Sequence, residues 1–437
     1  MTLISAPSRL QRQILLVVIT IAAALVLLPV ERPPADLADL DTPRADLGDI
    51  GATSGESGEA AHLSPLLPES SDVGPEPQLE RIFAAIDARD LDRALRLADG
   101  LIERYPTFHL AYLIKGDLLQ ARARPLADFG AAARGPTERV EDLRAEAIAR
   151  LRGYREKPPV DDIPRYLLKL RDDQRHAIVI DTNRSRLYLY RNDKGRPRFV
   201  TDYYITQGKL GAGKSTEGDK RTPLGVYRIT SWLPPEKLAD MYGHGAYPLD
   251  YPNEWDRRLG RSGSGIWLHG SPSNTFSRPP KASDGCVVLA NPDFDRLGEN
   301  VQIGITPVII VSDAKWIKPE AWQREREDLA QALDAWRSDW ESLDMDAFLA
   351  HYAADFKNQK QNFTAFAAQK RQVNRNKSWI KIEISKLSMF RAPGEQELAV
   401  VTFDQHYDSN NLTNTMTKRQ YWRRDQGQWK IVYEGSG

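Results

Sequence analysis

Cysteine is nearly absent from this chain: Cys286 stands alone among 437 residues. One thiol excludes an intramolecular disulfide framework and any zinc or iron–sulfur centre built from several thiolates. An excess of charge of one sign is missing too. Lys plus Arg and Asp plus Glu number 60 each, giving a formal net charge of zero. The basic surplus of a dedicated nucleic-acid binder is therefore not there. The rest of the composition is ordinary, with 41% hydrophobic and 27% charged residues. The length exceeds what one compact core organises, so two to four domains are expected.

A long apolar run is present near the N-terminus. Arg9 and Arg12 precede Ile14 to Val30, interrupted by Thr20 and Pro29. The run is at the short end of the roughly 17–25 residues of a spanning helix. Basic residues in front of it keep that side cytoplasmic and export the remainder. Residues 1–30 therefore read as a cytoplasmic tip and membrane anchor. A cleaved signal peptide is the alternative, although no clean A-x-A site precedes Pro33 and Pro34. On either reading the chain leaves the cytoplasm, and its free thiol needs an explanation. Residues 31–76, rich in Pro, Asp, Ala, Gly and Ser, read as an acidic disordered linker that cannot offset its ordering entropy.

Three further segments follow. Over 77–172 the pattern is helical: Leu79, Ile82, Phe83 and Ile86 form one stripe, and Leu95, Ala98, Leu101 and Ile102 another. Ala94, Pro106 and Gly116 have the spacing of a tetratricopeptide repeat, so the module reads as tetratricopeptide-like, with a plain helical hairpin as the alternative. Such units need a neighbour to bury their core. Over 174–313 the period becomes two, with strands expected at His176–Asp181, Arg186–Tyr190, Phe199–Ile205, Gly225–Thr230, Gly265–His269, Cys286–Ala290 and Thr306–Val311. This is a mainly-β domain. Over 315–437 helices through Trp322, Leu329, Leu333, Trp336 and Trp340 and then around Met345–Tyr352 precede strands near Ile380–Phe390, Glu397–Tyr407, Thr415–Arg423 and Gln428–Tyr433. That order predicts an α+β domain with a curved sheet around helices. The fold class is multidomain.

Gly208-Lys-Leu-Gly-Ala-Gly213-Lys214-Ser215 satisfies the P-loop pattern letter for letter. A P-loop works by opening a helix at its lysine, whose first amides face the phosphates. Here Thr216 to Gly225 is turn-rich and has no apolar stripe. No nucleotide is expected, and Lys209, Lys214 and Arg221 read as solvated loop charges.

The chemistry lies in Gly265-Ile-Trp-Leu-His269-Gly270-Ser271 and Ser283-Asp284-Gly285-Cys286-Val287-Val288. The first stretch ends an apolar strand on a histidine. The second enters a strand on the lone cysteine directly after a glycine. A thiol nucleophile needs a partner that lowers its pKa or accepts its proton, and an imidazole does this, so Cys286 reads as nucleophile and His269 as general base, with a buried small hydrophobe and an ordinary strand-end histidine as the alternative. Gly285 lets the backbone come close enough for amides near Cys286 to face an oxyanion. Tyr242 and Tyr247, in the loop expected to border the cleft, and Ser283 and Asp284 are candidate substrate contacts. His244 in that loop reads as a surface residue.

His269-Gly270 followed by Ser283-Asp284-Gly285-Cys286 resembles the H-G…S-x-G-C signature of the bacterial L,D-transpeptidase (YkuD-like) family. Gly208-Lys209, Thr222-Pro223-Leu224-Gly225-Val226-Tyr227 and Asn291 also match, over about 140 residues. The resemblance implies that the Gly270 carbonyl orients His269. It also implies that Cys286 attacks the L-centre diaminopimelate carbonyl of peptidoglycan tetrapeptide stems, forms a thioester and releases D-alanine. The partners are then peptidoglycan stem peptides and the inner membrane, with the catalytic part in the periplasm and neither metal nor cofactor. A second stem's amine makes the enzyme a transpeptidase, and water makes it an L,D-carboxypeptidase. Many cross-linking members carry Arg two residues after the cysteine, where this chain has Val288, and many relatives have His at the place of Ser264. The stretch Tyr242 to Asp256 resembles a branch containing cell-shape L,D-carboxypeptidases, and the C-terminal domain resembles the nuclear-transport-factor-2-like fold. A non-catalytic wall-binding scaffold remains the alternative from another class, and formation of a homodimer stays open.

Overall fold

The computed structural model describes residues 75–437 apart from Ala127, Ala132, Arg134, Glu395 and Gln396. The apolar run at 14–30 and almost all of the acidic linker lie outside the described residues. Among those described, no helix is long and apolar enough to cross a membrane.

Helices span Pro75–Asp87, Leu91–Arg104, His109–Ala121 and Thr137–Arg155. Their apolar stripes converge: Leu79 and Ile82 of the first meet Ala94, Ala98 and Leu101 of the second and Leu110 and Ile114 of the third. The second helix starts at Asp90, whose carboxylate accepts the Arg93 N–H at 2.9 Å and so satisfies an otherwise orphaned donor. The first helix begins two residues inside the expected linker, so Glu76 belongs to this unit. Phe276 and Ala290, from the domain that follows, complete the helical core.

Between the helices and the next domain the chain does not stay helical. Ile163–Pro164 pairs with Trp316–Ile317, and Leu167–Lys169 pairs antiparallel with the strand Ile380–Arg391. The end of the segment expected to be one helical module, 77–172, is thus the edge of the C-terminal sheet.

The middle domain has a five-stranded sheet ordered Arg196–Tyr204, Arg186–Asp193, His176–Asp181, Pro307–Val311, Gly225–Arg228. His176–Asp181 and Pro307–Val311 run parallel, and the other neighbours are antiparallel. Ile178, Ile180, Leu187, Leu189, Val308 and Ile310 point to one face and form a core with Leu268, Val287, Leu289 and Phe294. Val179, Tyr188, Tyr190, Ile309 and Val311 point to the other, against Val400, Tyr421 and Val432 of the C-terminal domain. Burial on both faces explains why these strands read as near-continuous apolar runs. A three-stranded sheet, Val287–Val288, Trp267–His269, Ala246–Pro248, lies across the first core.

The C-terminal domain wraps a sheet ordered Gln428–Ser436, Leu412–Asp425, Leu398–Ser409, Ile380–Arg391, Leu167–Lys169 around helices Pro319–Glu341, Met345–Ala350 and Phe363–Asn374. Trp336, Trp340, Phe348, Phe403 and Trp422 fill its core.

Candidate active site

The short parallel pairing of Val287–Val288 with Trp267–His269 brings the two chemical residues together. Its register sets Val287 opposite Leu268 and Val288 opposite His269. Cys286 is therefore abreast of Trp267, and strand alternation puts Cys286, Trp267 and His269 on the face away from the core that Leu268 and Val287 enter. Cys286 is partly exposed and His269 is buried.

His269 Nδ1 lies 2.7 Å from the Gly270 carbonyl oxygen. A carbonyl only accepts, so Nδ1 carries the proton and Nε2 keeps a lone pair. Burial pushes the imidazole down to about 4, with the charge of Arg278 adding to it against the Gly270 hydrogen bond. Burial pushes the Cys286 thiol up to about 11, while the Trp267 backbone hydrogen bond, Arg278 and Lys214 pull the other way. The thiol donates to the Gly265 carbonyl at 3.3 Å. Both groups are thus neutral at pH 7, which suits a base that takes the thiol proton during attack better than a preformed ion pair.

Backbone geometry holds this arrangement. Gly285 has φ 131°, and a Cβ there would stand 2.9 Å from the Arg221 carbonyl oxygen. Its N–H donates to Ser283 Oγ at 3.1 Å and its carbonyl accepts from Thr222 Oγ1 at 3.0 Å. Gly285 therefore supplies a close approach, while its own amide is committed within the turn. At Gly270 a Cβ would collide with the Asn291 side-chain oxygen. That oxygen accepts the N–H groups of Ser271 at 3.0 Å and His244 at 3.2 Å, and Asn291 Nδ2 donates to the Ser271 carbonyl at 2.9 Å. Asn291 so clamps the loop after His269 to the loop of Tyr242.

The candidate substrate contacts divide. Tyr242 stands edge-on to the His269 ring at 5.0 Å, and burial and then Cys286 raise its hydroxyl pKa. Asp284 is exposed and pairs with Lys209 at 3.3 Å. Ser283 and Tyr247 are turned inward instead. The Ser283 hydroxyl is buried and donates to the Cys286 carbonyl at 2.6 Å. The Tyr247 ring packs in the core between Trp232 at 4.8 Å and Phe294 at 5.2 Å. His244 sits at the surface, 2.8 Å from Asp295. Lys214, expected in solvent, is buried against Asp219 at 2.9 Å, and no helix begins at it. Sequence reasoning passed over Arg278, whose charge acts on Cys286 and His269. Its place between the two motifs was the available signal.

Residues 175–310 match the L,D-transpeptidase catalytic domain family. The chain carries an L,D-transpeptidase domain. Residues 328–435 match the Cds6 C-terminal NTF2-like domain, so an NTF2-like domain follows the L,D-transpeptidase domain. Bd1075 of Bdellovibrio bacteriovorus is similar in structure, with TM-score 0.57 and 25% identity over 63% of this chain and 98% of that one. The helical cell shape determining protein Pgp2 from Campylobacter jejuni gives TM-score 0.55 and 26% identity over 63% of this chain and 96% of that one. Both are spanned nearly end to end, so this chain has sequence beyond its match to either. No curated protein matches the chain.

Proposed function

We propose that this protein is a peptidoglycan-modifying cysteine acyltransferase. The observation that carries the reading is Cys286 on the same sheet face as His269, whose Nδ1–H is held by the Gly270 carbonyl. Nε2 takes the thiol proton as Sγ attacks the L-centre diaminopimelate carbonyl of a tetrapeptide stem. The carbon–nitrogen bond to D-alanine breaks, and the amine leaves with the proton from His269. A thioester on Cys286 remains. An acceptor then loses a proton to Nε2, attacks the thioester and restores the thiol. A stem amine as acceptor gives a cross-link, and water gives a tripeptide.

The water outcome has two supports of its own. Val288, at the place where many cross-linking members of the family carry Arg, is buried and bridges to Thr206, so it offers the acceptor no charge. The similar Campylobacter protein is a cell shape determinant. We place the activity in the periplasm, tethered by the run at 14–30. The test is mass spectrometry of disaccharide-tetrapeptide incubated with the full chain and with its Cys286→Ala variant. A tripeptide made by the intact protein alone establishes carboxypeptidation, and cross-linked dimers establish transpeptidation. A folded protein that makes neither overturns the reading in favour of a wall-binding scaffold.

A further inference from the structure

We propose that Arg150, on the helix Thr137–Arg155 ahead of the L,D-transpeptidase domain, is a positioning residue for Cys286. The inference rests on the reading of Cys286 as the nucleophile. The segment between His269 and Cys286 is gripped at three consecutive residues, and each grip is packed on this one guanidinium. At Phe276 the ring packs on Phe108 at 4.9 Å, and Arg150 lies 5.1 Å over the Phe108 ring. At Ser277 the hydroxyl donates to Glu146 at 2.6 Å, and the same carboxylate oxygen accepts Arg150 Nε at 2.8 Å. At Arg278 the carbonyl accepts from Tyr204 Oη at 2.9 Å, and Arg150 lies 4.0 Å over the Tyr204 ring. Arg150 is itself buried and also donates to Glu76 on the first helix. A planar guanidinium can stack on rings and fork to carboxylates together, which an ammonium cannot.

From these grips to the nucleophile the segment has little slack. Thr206 Oγ1 donates to the carbonyls of Arg278 at 3.0 Å and Pro279 at 2.9 Å, and the Gln207 N–H donates to that of Pro280 at 2.8 Å. Lys281–Ser283 then pairs with Gln207–Gly208. Thr206 also exchanges backbone hydrogen bonds with Val288 at 2.9 Å, two residues past Cys286. A shift at 276–278 therefore travels along bonded backbone to the turn of Ser283 to Cys286, with no free loop to absorb it. Removing the guanidinium takes the cation from the buried Glu146 and releases the Phe108 and Tyr204 rings at the same time. An attack geometry loses rate steeply when the reacting atom moves by about an ångström. Arg150 lies outside residues 175–310, which match the L,D-transpeptidase catalytic domain family, so the helical module supplies part of the support of the active site.

The test uses the full chain with two readouts, turnover of disaccharide-tetrapeptide and the pH profile of Cys286 alkylation by iodoacetamide. Arg150→Met should lower kcat per folded molecule by about 10–100-fold with KM within about threefold. The alkylation midpoint should fall from about 11 towards the ordinary thiol range, because a loosened segment lets water reach the thiol. Arg150→Lys, which keeps the charge without the plane, should recover part of both. The control is Arg419→Ala, which removes another buried arginine, 3.0 Å from Glu254 at the contact with the C-terminal domain. It should move neither readout. Ser277→Ala removes one grip and leaves the guanidinium, so it should reproduce the changes in smaller measure and covers the case of an Arg150 variant that does not fold. A merely structural role would lower the unfolding midpoint and leave kcat and the alkylation profile as they are. Arg150→Met or Ser277→Ala proteins with the kcat and alkylation profile of the intact protein overturn the assignment. An intact protein inert toward the tetrapeptide overturns the acyl-transfer reading, and the alkylation profile then decides this inference by itself.

Discussion

The L,D-transpeptidase domain is held on two sides, and the two contacts are built differently. On the helical side the seam is charged and buried. Arg150 lies 4.0 Å over the Tyr204 ring, bonds Glu146 at 2.8 Å and reaches Glu76, while Arg186 bonds Asp202 at 2.7 Å. On the NTF2-like side the seam is largely apolar, with Trp255 stacked on Tyr421 at 4.8 Å and the charged Arg419–Glu254 pair at 3.0 Å. The helical seam grips Phe276 and Ser277, in the loop between His269 and Cys286. The NTF2-like seam covers the face of the five-stranded sheet that points away from the catalytic strands. One contact is therefore coupled to the chemistry, and the other to stability.

Phe276→Ala tests that asymmetry hardest. Freeing the loop that carries Arg278 should displace the site and lower kcat/KM by about 100-fold, the scale of an ångström of misplacement. A drop confined to stability would break the comparison. On the opposite seam, Arg419→Ala removes a buried guanidinium from the partly buried Glu254, which keeps the Tyr421 hydroxyl, and should cost about 3 kcal/mol in denaturant unfolding. Its kcat/KM per folded molecule should stay within about twofold of the intact protein.

The charged seam also has a sign. Asp293 is buried, and burial followed by the charge of Glu76 raises its carboxyl to about 7. Its folded value lies above the unfolded one, so its ionisation penalises folding increasingly from about pH 4 to pH 7. Asp293→Asn should therefore stabilise the protein by up to about 4 kcal/mol at pH 8 and not at all at pH 3, measured by urea unfolding. His269 works in the other direction. Its folded value of about 4 is below the unfolded one, so the unfolded chain takes up the proton first as pH falls from 6.5. Stability should drop by up to about 3 kcal/mol by pH 4, and His269→Gln should remove that decline. Titrations of equal sign would show that the two buried groups are not set by the surroundings described.

Much of this was legible in the sequence because the central strands of the L,D-transpeptidase domain are apolar on both faces and Ile380–Glu383 and the end of Leu398–Ser409 in the NTF2-like domain alternate. The His269-Gly270 and Ser283 to Cys286 motifs likewise name residues that the fold brings onto one face. What could not be read is whatever depends on distant partners. Leu167–Lys169 is three residues long and finds its neighbour at Met389 and Phe390, more than two hundred positions away. Ser283 and Tyr247 have polar tips that sequence cannot aim, and both point inward. Arg278 carries no periodic signal, because it sits in a loop pinned by helices that precede the domain.

The most direct measurement is tetrapeptide turnover by the full chain with intact-protein mass spectrometry after acid quenching, beside the Cys286→Ala variant. The account predicts release of D-alanine together with an acyl adduct on the intact protein, and neither from the variant. Turnover undiminished in Cys286→Ala would contradict it.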